Sequence, residues 1–475
     1  MLINRFRDIR ISERLLVGLL VGVGLLGSIG MGVLVAMDKI IFAVIPMAIA
    51  LGIGALVFAS QRFDFIIQLL PIIALAIPLA LPTGRESKIP IVMALVLLQC
   101  GFWIASMYYR GWKVNRSPLN TPFITFCVLM IISFGWSVIY RDPILELWAS
   151  FPMVQTASLI CYLASIGAAF LIGNFMDDEQ KLKWFFMIYL IVGGLMVIKS
   201  NLGLPLEFLT IRGLWALWFV APAWAMLIAQ PKLAWKWRGL LIIMLLWCFY
   251  QVMIKDSGWI SGWAPGLVAI AAITFFYSRK VFLMLLPVAL IALALNWGFY
   301  VKVFEADQEE GSDERIGLWE QNLSIVREHW LFGTGPAGYA AYNMTYFKED
   351  ARSTHNNYFD ILAQFGVVGF IAWWWLALTG VFEGWYLIRI APPGLLRTIA
   401  LATTGGWCAA LVSMMLGDWV LPFAYNQTIG GYQYTVTSWF FLGTLIAIRT
   451  ILDRQGLIPQ PVAEEEDPFN ETSYA

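Results

Sequence analysis

Charged side chains are scarce in this chain: they make up 13% of its 475 residues, while 60% of the residues are hydrophobic. Soluble domains are about one quarter charged and about half apolar, so this composition excludes an ordinary soluble fold. Basic and acidic side chains both number 31, and a net charge of zero gives no basis for binding nucleic acid. The acidic end "AEEEDPFNETSYA" predicts a disordered tail over 452–475.

Cysteine and histidine are also rare, with five and two residues. Every cysteine falls inside an apolar run, and none lies in a long polar segment or at the spacing of metal ligands. We therefore predict packing residues, with no disulfide framework and no metal site. The cysteines are Cys100, Cys127, Cys161, Cys248 and Cys408.

What the chain has in abundance is apolar runs of about 20 residues, each long enough to cross a hydrocarbon core of roughly 30 Å. They predict an all-α, polytopic membrane helix bundle of about fourteen spans. These spans lie near 15–36, 40–60, 65–82, 89–109, 121–140, 156–176, 182–200, 210–229, 238–255, 258–277, 281–300, 366–387, 397–416 and 435–451. The basic arm before the first run is expected to be cytoplasmic, and that run to be an uncleaved span.

Most of the 31 Lys and Arg residues fall in segments that are cytoplasmic if the N-terminus is inside, as the positive-inside rule requires. An even number of spans then places the C-terminus in the cytoplasm too. We expect a bundle over 1–300 (spans 1–11), one large helical loop on the outer side over 301–365, and spans 12–14 over 366–451.

The outer loop contains two predicted helices. In "ERIGLWEQNLSIVREHW", apolar residues recur at steps of three and four and predict one apolar helix face, formed by Ile316, Trp319, Leu323, Val326 and Trp330. A second helix is expected over "AAYNMTYF", and "ST" before His355 is expected to cap the helix that enters span 12. A second outer segment, 417–434, could line a groove beside the loop.

Between the two loop helices, "GTGPAG" at 333–338 matches G-x-G-x-x-G. A dinucleotide site needs this motif after a strand within a βαβ unit, whereas here it follows an amphipathic helix. We interpret the glycines as a tight turn.

The two histidines differ in position. His329 stands beside Trp330 and is interpreted as an interfacial residue. His355 is expected in the first turn of a helix, where the helix dipole disfavours the imidazolium and a neutral ring can accept a proton. It is a candidate general base, although a histidine at a helix start is more often only a polar boundary residue.

Three arginines on the outer side, Arg212, Arg315 and Arg352, also have two interpretations. Arginine at span ends commonly anchors a protein at the interface. Guanidinium groups also bind phosphate oxygens bidentately and stay charged, so converging arginines would suit a pyrophosphate on a lipid carrier.

Taken together, residues 315–370 resemble the shared signature of the O-antigen ligase and O-antigen polymerase superfamily. The matching features are Arg315 with Trp319 on a helix, the turn "WLFGTGPAG", and the His-Asn pair, aromatic residue and Gly-x-x-Gly of "HNNYFDILAQFGVVG". One departure is Gln364, which stands where the family often has an acid. Another is Gly258 after Ser257, where a Ser-Arg pair is common.

The resemblance implies transfer of a glycan from an undecaprenyl-pyrophosphate carrier to an acceptor hydroxyl at the periplasmic face of a bacterial inner membrane, without metal or nucleotide cofactor. It implies that His355 and Arg315 are catalytic. It also implies that Arg212, Arg352, Asn356 and Tyr358 bind substrate. The acceptor could be a lipid A core, a second lipid-linked glycan or a protein hydroxyl. A non-enzymatic flippase or transporter of lipid-linked sugars is the alternative from another class, but such proteins keep ionisable residues at mid-membrane depth, and few occur here.

Overall fold

A computed structural model describes residues 63–83, 87–111, 113–209, 213–302, 312–347, 354–423 and 429–459. Nearly all described residues belong to one compact unit, Ile67–Ala475. The first two predicted spans and the basic arm lie outside the described residues, as do 460–475 of the predicted tail.

Helices dominate the described residues. The first part of the bundle comprises α1 (Phe63–Ala76), α2 (Ile91–Arg110), α3 (Asn120–Ile139), α4 (Phe151–Phe175), α5 (Glu179–Leu202), α6 (Trp215–Ala229), α7 (Trp235–Phe249), α8 (Ile260–Tyr277) and α9 (Arg279–Leu295). Helix α7 continues as a π-helical turn over Tyr250–Lys255. The second part comprises α10 (Ser312–Glu328), α11 (Tyr339–Tyr346), α12 (Asn357–Ile390), α13 (Leu395–Ser413) and α14 (Tyr432–Arg454). A short antiparallel hairpin of β1 (Ala80–Pro82) and β2 (Lys88–Pro90) interrupts the helical pattern.

Nine helices within the described ranges are long and apolar enough to cross a membrane, and α1 and α6 are shorter apolar helices. The chain is therefore a multi-pass membrane protein, as predicted. The count of fourteen spans stays a prediction. Two boundaries differ from expectation: α12 begins at Asn357, well before the predicted start of span 12, and α14 continues to Arg454, past the predicted start of the tail.

Helix α14 lies at the centre of the bundle and packs against α4, α12 and α13. Close approach is possible because small residues face each other: a Cβ on Gly443 of α14 would lie 2.3 Å from the backbone oxygen of Ala169 in α4. Small residues are the usual means by which membrane helices approach closely, since lipid supplies no hydrophobic force between helices. All five cysteines are free thiols inside helices, which confirms their prediction as packing residues.

The direction of the helices defines two ends of the bundle. The N-terminus of α12 meets the C-terminus of α13, where the N–H of Asn357 donates to the oxygen of Met414 at 2.8 Å. The C-terminus of α14 lies at the other end, where Arg454 contacts Asp177 at 3.2 Å, just before α5. We call these the His355 end and the Asp177 end.

Candidate functional site

The glycine turn, residues 333–338, packs against a break in α12. Gly366 has a φ of 66°, which interrupts the helix and releases backbone groups on both sides. The turn satisfies them: the N–H of Thr334 donates to Ala363 at 2.8 Å, and the N–H of Gly335 donates to the oxygen of Gln364 at 2.9 Å. The N–H of Val367 in turn donates to Trp330 at 2.8 Å. Buried backbone groups need such partners, so the break and the turn depend on each other.

Glycine is required in both halves of this contact. A Cβ on Gly366 would lie 2.3 Å from the oxygen of Leu331, and a Cβ on Gly335 would lie 2.2 Å from the hydroxyl of Ser137 in α3. The prediction of a tight turn is confirmed, and the glycines serve packing between α3, the turn and α12.

Gln364 links the same elements through its side chain. Its Oε1 accepts from the N–H of Ala337 at 2.6 Å and from the hydroxyl of Tyr162 at 2.9 Å. Its Nε2 donates to the oxygen of Asp360 at 3.1 Å. A carboxylate could not make the last bond, because it has no donor. The amide at a position where the family often has an acid is therefore explained by its neighbours.

His355 lies immediately before the helix that enters the membrane. Asn356 is the N-cap of α12, and its side chain accepts from the N–H of Tyr358 at 3.0 Å. The prediction that "ST" caps this helix and that His355 occupies its first turn is therefore wrong by two to three residues. The cause is that Asn356 competes successfully for the cap, since asparagine is among the best N-cap residues.

The backbone at His355 is unusual. Its φ of 50° is in the left-handed region, which residues other than glycine seldom adopt, and its side chain is half-buried. Histidine is among the residue types enriched there. Such conformations cost free energy and persist where the surroundings impose them, often at functional sites.

A buried polar cluster supports the His355 segment, residues 354–358. The Thr354 hydroxyl lies 2.8 Å from Oδ1 of Asp360 and 2.9 Å from the oxygen of Asn356. Tyr339 of α11 donates to the same Asp360 oxygen at 2.5 Å, and burial raises the pKa of this tyrosine well above its ordinary value. Asp418, in the second outer segment, is also buried.

Helix α10 docks onto the same segment through Trp319. Its indole N–H donates to the oxygen of Thr354 at 2.9 Å, and its ring stacks on Phe359 at 5.2 Å. The backbone of Arg315 lies one helical turn earlier in α10, and its side chain is outside the description. Trp319 therefore brings the helix that carries Arg315 to the residue beside His355.

The buried face of α10 differs from the predicted one. Of the predicted face, Val326 is buried and Trp319 is half-buried, but Ile316, Leu323 and Trp330 are exposed. The other deeply buried residues are Leu318, Asn322 and Ile325. Trp330 also lies beyond the end of the helix. The helix was predicted correctly from its periodicity, but the neighbours that cover one face could not be read from it.

The remaining predicted site residues are placed as follows. Arg212 and Arg352 lie outside the described residues. Asn356 is buried as the cap, and Tyr358 is half-buried, with its hydroxyl donating to Leu411 at 2.8 Å and its ring stacked on Trp374. Both side chains have structural partners, and their contact with substrate stays a prediction.

Sequence reasoning missed the residue that connects this segment to the second outer segment. Asn357 donates to the oxygen of Leu421 at 2.8 Å and accepts from the N–H groups of Val420 and Leu421. Phe423 stacks on Tyr339 at 4.7 Å. The described part of the 417–434 segment therefore packs beside the loop. The only signal in the sequence was the second Asn of "HNN", which no local rule distinguishes from the first.

An exposed hydrogen bond joins α11 of the outer loop to the segment that follows α3. The Tyr346 hydroxyl and the N–H of Ile144 donate to Asp142, which lowers the pKa of that carboxyl, while the pKa of Tyr346 rises to about 12. His329 lies edge-on to Tyr342 at 4.7 Å, and partial burial lowers the pKa of this histidine. His329 therefore belongs to the packing of the loop, in a different setting from His355.

Residues 254–374 match the family model described as O-antigen ligase. The match confirms the family resemblance over about a quarter of the chain. It includes Arg315, the glycine turn and His355, and it ends before α13. Among curated proteins, no match to the chain is found.

Proposed function

We propose that this chain, with its O-antigen ligase match over residues 254–374, transfers a glycan from an undecaprenyl-pyrophosphate carrier to an acceptor hydroxyl at the outer face of a bacterial inner membrane. The observation that carries this proposal is the setting of His355. It has a strained backbone at the N-terminal entry of α12, and Trp319 ties it to the helix of Arg315.

The reaction assigns one step to each group. The imidazole of His355 takes the proton of the acceptor hydroxyl, and the acceptor oxygen forms a bond to the anomeric carbon of the donor sugar. The bond from that carbon to the carrier's phosphate oxygen breaks, and undecaprenyl pyrophosphate leaves with the electron pair. Arg315 and Arg212 offset the charge on the leaving pyrophosphate.

The roles of the other predicted residues follow from this arrangement. Arg352, Asn356 and Tyr358 would border the acceptor groove. Because arginines supply the positive charge, we expect turnover to need no metal or nucleotide cofactor, and a chelator should leave the rate unchanged. Acceptors of three kinds fit this chemistry: lipid A core, a second lipid-linked glycan and a protein hydroxyl.

The test is turnover of a lipid-linked glycan by the purified chain in liposomes, with release of undecaprenyl pyrophosphate as the readout. His355→Asn is the sharpest variant, because asparagine tolerates the positive φ but cannot act as the base. We expect it to abolish turnover, while His329→Asn, the matched control at the other histidine, retains it. Movement of the intact donor across the bilayer without release of pyrophosphate would support a flippase and overturn the proposal.

A further inference from the structure

A long apolar groove lies between α5, α6 and α7, and none of its lining residues belongs to the candidate site described above. It has a volume of about 460 Å³ and is lined by apolar and aromatic side chains. Its lining includes Ile191, Leu195, Ile198, Phe219, Leu240 and Met244. Ile191 is 53% exposed and Leu240 is 41% exposed, so the groove opens toward the outside of the bundle.

The groove has the length of one lipid chain. On α5 its lining extends from Met187 to Ile198. At a rise of 1.5 Å per residue this stretch covers about 16 Å, which is roughly half of a hydrocarbon core of about 30 Å. A groove of this length on a membrane-facing surface matches the thickness of the acyl region of a single leaflet.

Basic and aromatic side chains surround one end of the groove. Lys232 and Lys236 are exposed and are direct neighbours of the lining residues Leu233 and Trp237. Trp237 is 51% exposed, as expected for an aromatic residue at the level of lipid head groups.

Two other basic groups near the groove already have partners. Arg238 donates to the backbone oxygens of Leu227, Gln230 and Leu233, and Lys181 pairs with Asp177 at 2.8 Å. Lys183 is exposed one turn before Met187 but follows Glu179 by one turn. The Lys236 ammonium lies 5.6 Å from the centroid of the Trp237 ring, which lines the groove. Lys232 and Lys236 are therefore the pair best placed to offer positive charge to a ligand in the groove.

This basic mouth lies at the Asp177 end of the bundle. Helix α6 starts at the His355 end, where Gly213 contacts Tyr434 at the start of α14, and it leads to Lys232 at the other end. Helix α5 has 24 residues and is therefore about 36 Å long. A lipid whose head group reaches Lys232 and Lys236 cannot place that same head group beside His355.

We propose that the groove binds one anionic phospholipid, in the leaflet opposite to His355. Its acyl chain would lie along α5 and α7, and its phosphate would contact Lys232 and Lys236. Charge complementarity favours an anionic lipid, since basic side chains at the membrane surface attract such head groups. The site is separate from the glycan-transfer site and does not depend on the proposed reaction.

The test is native mass spectrometry of the full chain. The protein is released from nanodiscs that contain phosphatidylcholine and phosphatidylglycerol in equal amounts, and the lipid that stays bound is identified. Wild-type protein should retain phosphatidylglycerol in preference to phosphatidylcholine. Lys232→Gln/Lys236→Gln should reduce that preference by on the order of tenfold, given the attraction of each basic residue for anionic lipid. The matched control is Lys113→Gln/Lys280→Gln, two exposed lysines at the same end that do not adjoin the groove.

A second variant removes the space itself. Gly194 lines the groove, and a Cβ at this position meets no atom within 4 Å, so Gly194→Leu should fill the groove without disturbing the helices. We expect it to lose the retained lipid at an unchanged unfolding temperature, whereas Gly101→Leu, also an open position in a membrane helix, retains it. Retention of phosphatidylglycerol by both groove variants would overturn the proposal. Displacement of phosphatidylglycerol from wild-type protein by equimolar undecaprenyl phosphate would overturn it as well, because the groove would then be an isoprenoid site.

Discussion

The side chain of Gln364 connects α12 to the glycine turn and to α4 through hydrogen bonds. Gln364 donates to the backbone oxygen of Asp360 and accepts from Ala337 and Tyr162, so both the nitrogen and the oxygen of its buried amide form hydrogen bonds. An ionised carboxylate of the same size would keep the two accepted bonds and lose the one donated to the backbone oxygen of Asp360. The amide therefore matches its surroundings better than the acid that the family often carries.

Gln364→Glu should accordingly destabilise the protein by about 1–3 kcal/mol, because the oxygen of Asp360 would lose its donor and face a second oxygen. The measurement is the midpoint of denaturant unfolding in detergent. Gln455→Glu, at an exposed position, is the control and should leave the midpoint unchanged. An equally small effect at both positions would show that the Gln364 network does not stabilise the fold.

The bond between Tyr346 and Asp142 predicts a pH dependence. The pKa of Asp142 is lowered in the folded state, so the stability that it contributes is present above the ordinary carboxyl pKa of about 3.9. This contribution is lost as the pH falls through the folded-state value. Tyr346→Phe should therefore lower the unfolding temperature at pH 7, and the difference from wild type should vanish in acid. A difference that stays constant down to pH 2, on the order of two units below that carboxyl pKa, would contradict this assignment.

At the scale of elements, the sequence was most informative about where helices lie and least informative about how they meet. Apolar runs located the membrane-spanning helices of the described residues, and steps of three and four located α10, because both signals are local. The break at Gly366, the burial of Asn322 and the pairing of Asp360 with Tyr339 depend on neighbours that are distant in sequence. His355 and Arg315 could be named from a motif, whereas Asn357, Asp360 and Asp418 could not.

The mutual support between the glycine turn and α12 can be tested at Gly366. An alanine there would have to adopt a φ of 66° and place its Cβ 2.3 Å from the oxygen of Leu331. The left-handed backbone alone costs about 1–2 kcal/mol, and the clash adds to it. We expect Gly366→Ala to lower the unfolding temperature by several degrees and to reduce turnover. Gly101→Ala, in an open helical position, should be neutral or slightly stabilising.

Trp319 joins α10 to the His355 segment through one hydrogen bond and one ring stack. Trp319→Phe keeps a ring to stack on Phe359 but removes the bond to Thr354. We expect a loss of only about 1 kcal/mol in stability, since the net value of one hydrogen bond is of that order. Turnover should fall much more, because the helix of Arg315 is no longer held beside His355. Wild-type turnover in this variant would indicate that the position of α10 does not matter for the reaction.

At the scale of the whole molecule, the two ends of the bundle face opposite sides of the membrane. If glycan transfer occurs at the outer face, the His355 end must be the outer one. Trp330, near the His355 end, and Lys236, at the Asp177 end, are both exposed. In intact cells, an impermeant thiol reagent should label Trp330→Cys directly and Lys236→Cys only after permeabilisation. The opposite pattern would invert the orientation and place His355 in the cytoplasm.

The central claim is that His355 activates the acceptor for glycan transfer. Its most direct measurement is the single-turnover rate at which purified protein in liposomes converts a lipid-linked glycan and its acceptor to product, together with donor affinity. For His355→Asn, we expect unchanged donor binding and loss of product formation. Product formation by this variant at the rate of wild-type protein would contradict the role assigned to His355.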